Sequence, residues 1–264
     1  MSSMKYLVYD IESVTDKKLL QRVLYPELED PEAAYQQHLT ELAEENREFV
    51  NPAFHQPISI AVMGLNEDFE ILKIGLLGKE QRSPEAIVRH FWEMYNQAGP
   101  TLIDFNGRGF DIRLLELWAF RLGISIDPSF FTKFGPRYRF DESSHLDLHD
   151  FLTNYGAIRY RGGLDLFAKL IDKPGKMDTK GHMVQELYDQ ENFFQIDDYC
   201  LGDTMDTYFV FLRSLVMRGL IDLERENVLT EAAIQSMENK EEEEGFFKEY
   251  LKRMKLVSQP DDGR

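Results

Sequence analysis

An apolar run, Met4-Lys5-Tyr6-Leu7-Val8-Tyr9, passes directly into Asp10-Ile11-Glu12. The run predicts a buried β-strand that ends at Asp10. Strand alternation then puts residues 10 and 12 on the same face. Two carboxylates on one side of a sheet, close to the core, repel unless a cation lies between them. A divalent metal with oxygen ligands satisfies that requirement. A capped strand end with both acids in solvent is the ordinary alternative. This pair narrows the folds open to the chain more than any other segment, because few architectures bring other acids to meet it.

The remaining pattern is mixed. Residues 16–50 are acidic and helix-prone, an expected helical insertion that extends to residue 56. Residues 57–65 and 69–74 read as a strand pair around Asn66-Glu67-Asp68. Residues 84–98 predict an amphipathic helix started by Ser83-Pro84, with Ile87, Val88, Phe91, Trp92 and Tyr95 on one side. A short strand at 101–105 leads through Asn106-Gly107-Arg108-Gly109 to a helix over 110–122, stopped by Gly123. A Phe- and Arg-rich loop follows at 129–140, then a strand passing into a helix over 145–154. A helix at 164–171, a Lys/Gly loop at 173–182, and helices at 183–189 and 193–218 follow. The chain is charged and helix-prone from 226, with frayed residues expected at 259–264. Strands first and helices later predict a mixed α/β sheet flanked by helices. The expected division is one domain over 1–220 with a helical extension over 221–264.

Two further segments carry chemistry. Asp111 follows a strand and a glycine turn, at the start of a helix; stabilisation of the helix dipole would also explain it. Tyr199 and Asp203 are four apart and share a helix face that runs into an apolar stretch through Leu212. An acid at the edge of such a face is costly without a partner. Gly202 is a poor helix residue without a packing or functional reason. A surface Asp beside a core-edge Tyr is the plain alternative.

The three segments in order are Asp-x-Glu, Asn-Gly-x-x-Phe-Asp and Tyr-x-x-x-Asp. This set resembles the tyrosine (DEDDy) branch of the DEDD superfamily of 3′–5′ exonucleases, which has an RNase H-like fold. It is most similar to the predicted exonucleases related to the proofreading domain of family B DNA polymerases. Phe54-His55-Gln56-Pro57, His145-Leu146-Asp147-Leu148, Asn154-Tyr155-Gly156-Ala157 and Pro174-Gly175-Lys176-Met177 support the resemblance, which spans about residues 5–215. The histidine branch would place His five before the last Asp, where this chain has Asp198. The resemblance implies that Asp10, Glu12, Asp111 and Asp203 hold two Mg²⁺ or Mn²⁺ ions. Asp10 would bridge both, Glu12 and Asp203 would complete one site, and Asp111 would act largely through water on the other. Two ions about 3.5–4 Å apart can generate hydroxide near neutral pH and neutralise the leaving oxygen. Tyr199 would orient the attacking water, since a phenol of pKa about 10 is a poor proton acceptor at pH 7. Asn106 and Phe110 would shape the terminal nucleotide pocket. Ile11 is grouped with them by position, although it also reads as core.

Asp and Glu total 47 against 30 Lys and Arg, a formal net charge of -17. Charge alone argues against nucleic-acid binding. Much of it is local, however, in the Glu-rich segments 27–48 and 224–249. Arg108, Arg137, Arg159 and Arg161, with Lys133, Tyr138, Arg139 and Tyr160, interleave positive charge with aromatic rings, as a single strand requires. Ordinary loop residues are the alternative. The expected substrate is the 3′ end of single-stranded DNA, bound weakly and salt-sensitively, with RNA or short oligonucleotides as the alternative. A scaffold on an inactive nuclease fold is the non-enzymatic reading. His38, His90, His149 and His182 are scattered and are read as surface or core-edge residues. The single Cys200 leaves no internal disulfide and no Cys-rich zinc site, and suits a cytoplasmic location. No apolar run of about 18 residues crosses a membrane, and the segment before Asp10 is too short and too soon acidic for a secretory signal.

Overall fold

A computed structural model describes residues 3–47, 49–175 and 183–257. The loop expected at 173–182 lies mostly outside these residues, as do His182, Lys176-Met177 and the terminus at 259–264. Five strands form one mixed sheet: β1 (Tyr6–Thr15), β2 (His55–Leu65), β3 (Ile71–Leu76), β4 (Thr101–Asp104) and β5 (His145–Asp147). Their order is β3-β2-β1-β4-β5. β1 runs antiparallel to β2 and parallel to β4, and β4 runs parallel to β5.

The predicted acidic insertion is helical. It forms α1 (Lys17–Leu24) and α2 (Pro31–Glu44), which close a small core of their own from Leu20, Tyr25, Ala34, Tyr35, Leu42 and Val50. His38 lies inside this unit, 2.9 Å from the Tyr25 hydroxyl. α3 (Pro84–Ala98) starts where the sequence indicates, with Ser83 Oγ accepting from the Ala86 N–H at 3.0 Å. α4 (Asp111–Leu122) follows the glycine turn. Together α3 and α4 cover one face of the sheet through Leu7, Tyr9 and Ile11 of β1 and Phe91, Trp92, Ile112 and Leu115.

The other face belongs to the later helices: α5 (Leu148–Leu152), α6 (Gly163–Lys169), α7 (Val184–Asp189), α8 (Phe193–Met217), α9 (Leu223–Glu244) and α10 (Lys248–Val257). α8 lies against Val8, Ala61, Met63 and Ile103 of the sheet. Its outer side is covered in turn by Leu229, Ala233 and Met237 of α9 and by Tyr250, Leu251 and Met254 of α10. α8 is therefore buried nearly all round from Tyr199 to Leu212, with Asp203 and Asp206 enclosed among its apolar side chains. The residues after 221, expected as an extension, contribute to the same core cluster as the sheet. Their apolar positions are spaced among many acids, which hides the buried face in the sequence.

Gly202 lies in the buried interior of α8, where a Cβ would meet the Tyr250 ring at 3.5 Å, an ordinary van der Waals distance. Glycine in a helix interior costs roughly 0.5–1 kcal/mol relative to alanine. Gly202→Ala is therefore expected to raise Tm by about 1–4 °C for a chain of this size. A fall in Tm by differential scanning calorimetry would show that the α8–α10 spacing has no room for a methyl group.

Candidate active site

The long β1 strand positions the first acids. Its pairing with β4 covers only Tyr6, Leu7 and Val8, whereas its pairing with β2 continues to Thr15. Beyond Val8 the β4 side of β1 is therefore open, at the carboxyl ends of the parallel strands. Alternation sends Leu7, Tyr9 and Ile11 toward α3 and α4, and Val8 toward α8. Asp10 and Glu12 share the parity of Val8 and meet α8, and the register slips just after Glu12. Cys200 of α8 lies against this strand, its thiol donating to the Asp10 carbonyl at 3.3 Å. Burial pushes that thiol's pKa well up, so Cys200 acts as packing and not as a nucleophile.

Single carboxylate oxygens of Asp10, Glu12 and Asp203 all lie within 4.8 Å of one another. Three hard oxygen donors at that spacing suit one divalent ion, whose ligands at about 2.0–2.6 Å stand about 3–5 Å apart across its coordination shell. Tyr199, one turn before Asp203, donates its hydroxyl to that carboxylate. Burial first, then the charges of Asp203, Glu12 and Asp10, push the phenol pKa far above its ordinary value. The ring is thus held as a neutral donor.

Asp111 lies outside this tight cluster, buried at the first turn of α4. Desolvation raises its carboxyl pKa well above the usual range, and the charges of Asp10 and Asp104 raise it further. The four acids thus converge, three closely and the fourth within electrostatic reach.

Beneath Asp111 is a polar support that the sequence reading did not single out. Asp104 at the end of β4 is almost fully buried. It accepts from Tyr9 Oη at 2.6 Å and from the Gly107 N–H at 3.1 Å, and His145 Nε2 lies 2.7 Å away. A Cβ at residue 107 would stand 2.0 Å from Asp104 Oδ2, so this turn admits only glycine. Asp147 accepts from the N–H groups of Asn106 and Arg108 at 2.8 and 3.1 Å, and fixes the other half of the turn. The signal in the sequence was an acid closing the otherwise apolar Leu102-Ile103 strand.

The expected substrate residues divide. Phe110 packs edge-on against His55, which stacks on Phe49 at 5.4 Å between ring centroids. Phe49 is 60% exposed, so an open aromatic face adjoins Asp111. Burial lowers the His55 pKa to about 4, so its ring is neutral at pH 7. Asn106 takes a left-handed backbone (φ 67°) at the exposed apex of the turn. Ile11 is buried in the α4 side of the core. Arg108 directs its guanidinium to the carbonyls of Pro136 and His145 at 2.6 and 2.9 Å, and so locks the loop to the turn. Arg137 lies 3.5 Å from Glu116 and lines a cavity of about 310 Å³ together with Asn106 and Arg108. Arg159 and Arg161 are exposed on a separate loop and do not line that cavity.

Residues 47–254 match the family described as "Predicted 3'-5' exonuclease related to the exonuclease domain of PolB". The chain belongs to that family. The match begins after Asp10 and Glu12, so their place in the site rests on the geometry with Asp203. It runs on past residue 215, where the motif resemblance stops, to include α9 and most of α10. No curated protein gives a significant match. Among the described residues, no helix is long and apolar enough to cross a membrane.

The raised carboxyl of Asp111 sets a pH dependence. A folded pKa above the unfolded value near 3.9 means that the native state binds the extra proton. That contribution to stability is full below the unfolded pKa and is lost as pH rises through the folded one. Asp147, raised to about 6 chiefly by burial, adds in the same direction. Metal-free protein is expected to lose stability as pH rises from about 4 through 7, and Asp111→Asn to flatten that slope. Urea titrations of both proteins in EDTA across this range test it; parallel slopes would remove Asp111 from the account.

Proposed function

We propose that the protein is a metal-dependent 3′–5′ exonuclease that hydrolyses phosphodiester bonds from the 3′ end of single-stranded DNA, releasing nucleoside 5′-monophosphates. The observation that carries this reading is the convergence of Asp10, Glu12 and Asp203, with Tyr199 bonded to Asp203. DNA is favoured as substrate because the family is related to the exonuclease domain of PolB.

Asp10, Glu12 and Asp203 would hold one divalent ion, and Asp111 with Asp10 would serve a second. Mg²⁺ or Mn²⁺ bound there supplies charge neutralisation and a nucleophilic water near neutral pH. In the hydrolysis, water adds its oxygen to phosphorus, the bond to the 3′ oxygen breaks, and that oxygen takes the proton. Tyr199 stays protonated throughout, so it orients by donating a hydrogen bond and does not act as the base. The Phe49–His55–Phe110 rings offer a neutral stacking face for the terminal base. Stacking tolerates every base, which suits a nuclease without sequence preference. A net charge of -17 leaves little long-range attraction for polyanions, in keeping with weak, salt-sensitive binding of a few nucleotides.

The test is digestion of a 5′-labelled single-stranded DNA oligomer with Mg²⁺ or Mn²⁺. The expected result is a ladder that shortens from the 3′ end, disappears in EDTA and is absent with Asp203→Ala. Tyr199→Phe is expected to slow cleavage about 10–100-fold, the usual cost of losing a partner that orients a metal ligand. A matched RNA oligomer degraded faster than DNA would overturn the substrate assignment. Folded protein inert on both with either metal would overturn the enzymatic reading.

A further inference from the structure

This inference rests on the functional reading above and adds a residue from outside the motifs. Three residues of α8 spaced four apart, Asp198, Gly202 and Asp206, all face the segment 247–250. Asp198 accepts a hydrogen bond from the Phe247 N–H at 2.7 Å, just before α10. At Gly202 the Tyr250 ring stands at van der Waals distance, 3.5 Å, from where a Cβ would lie, so the helix faces the ring without touching it there. The Tyr250 hydroxyl donates to the Asp206 carboxylate in a short, fully buried hydrogen bond. The neighbouring stripe on the same helix holds Tyr199 and Asp203. α8 therefore meets the segment 247–250 beside the stripe that bears Asp203, through hydrogen bonds at Asp198 and Asp206.

On the opposite side, Asp197 accepts from Ser59 Oγ at 2.8 Å and from Arg82 at 2.9 Å, tying the start of α8 to β2 and to the turn before α3. α8 is thus gripped from two sides near its start, and near Asp206 it is held by the Tyr250 hydroxyl of α10 together with the Gly175 N–H, which donates to the same carboxylate. A carboxylate stands about 5–6 Å from its helix axis, so each 10° of helix rotation moves it by about 1 Å. Metal sites need ligands held to roughly 0.5 Å. A small rotation or slide of α8 would therefore separate Asp203 from Asp10 and Glu12, which sit on the sheet.

We propose that Tyr250 is a positioning residue for the metal site: its bond to Asp206 holds the rotation of α8 that brings Asp203 to Asp10 and Glu12. Tyr250 does not touch the substrate. The C-terminal helix is accordingly part of the catalytic unit and not an appendage.

The test compares Tyr250→Phe with Met254→Ala in the full chain. Both alter buried α10 side chains, but only the first removes the bond to Asp206. Mn²⁺ affinity is read by isothermal titration calorimetry, kcat and KM by oligomer digestion, and Tm by calorimetry. Tyr250→Phe is expected to weaken Mn²⁺ binding about 3–10-fold and to lower kcat similarly at saturating metal, with KM for DNA unchanged. Met254→Ala is expected to lower Tm at least as much, with Mn²⁺ affinity within twofold of the parent. Asp206→Asn retains an acceptor for the Tyr250 hydroxyl and is expected to keep near-parental Mn²⁺ affinity. Equal Mn²⁺ affinity in Tyr250→Phe and the parent would overturn the proposal, as would equal losses in Tyr250→Phe and Met254→Ala. Parent protein that fails to bind Mn²⁺ would instead overturn the functional reading itself, so the two failures are separable.

Discussion

Like-charge repulsion among clustered carboxylates is the constraint around which this molecule is arranged. Asp10, Glu12 and Asp203 are close enough to oppose one another strongly, and Asp111 adds to the field. A flexible chain would relieve that opposition by letting one acid swing into water. Here each acid is borne on an element that cannot easily move. Asp10 and Glu12 sit on a strand fixed by a long antiparallel ladder. Asp111 heads a helix whose entry turn is clamped by Asp104 and Asp147. Asp203 belongs to a helix buried between the sheet and two further helices. The rigidity of the frame is the counterpart of the repulsion it contains, and a cation would convert the same arrangement from a cost into a binding force.

Much of the layout is legible in the sequence because each signal is local. Strand alternation brings Asp10 and Glu12 to one face, and Ser83-Pro84 marks the start of α3. The four-residue step from Tyr199 to Asp203 reads directly as a shared helix face. What escapes is set by partners distant in sequence. Arg108 looks like a phosphate ligand from its neighbours, yet its guanidinium meets the carbonyls of Pro136 and His145, which the fold alone brings near. Asp104 reads as an ordinary strand end, and only the tertiary structure gives it Tyr9 and His145. Asp206 and Tyr250 are 44 residues apart, and neither hints at the other. The acid-rich composition after 221 suggests a solvated appendage, because burial there follows from the uncovered side of α8 and not from a strong period in the segment itself.

The contact of Cys200 with the Asp10 carbonyl joins residues 190 apart. The carboxylate cluster is closed by the same pairing of the first strand with a late helix. Contacts of such long sequence separation form slowly, since most of the chain must be ordered before they add stability. During synthesis, domains fold as their residues emerge from the ribosome. The first strand, its partner β2 and the insertion can be made long before α8 exists. The cluster must wait for α8, and the last grip on that helix waits for α10. A nascent chain of this protein therefore carries its first two acids apart from Asp203 until α8 has been made. The carboxylate cluster would come together late and all at once, only after the sheet, the insertion and the central helix have all been made.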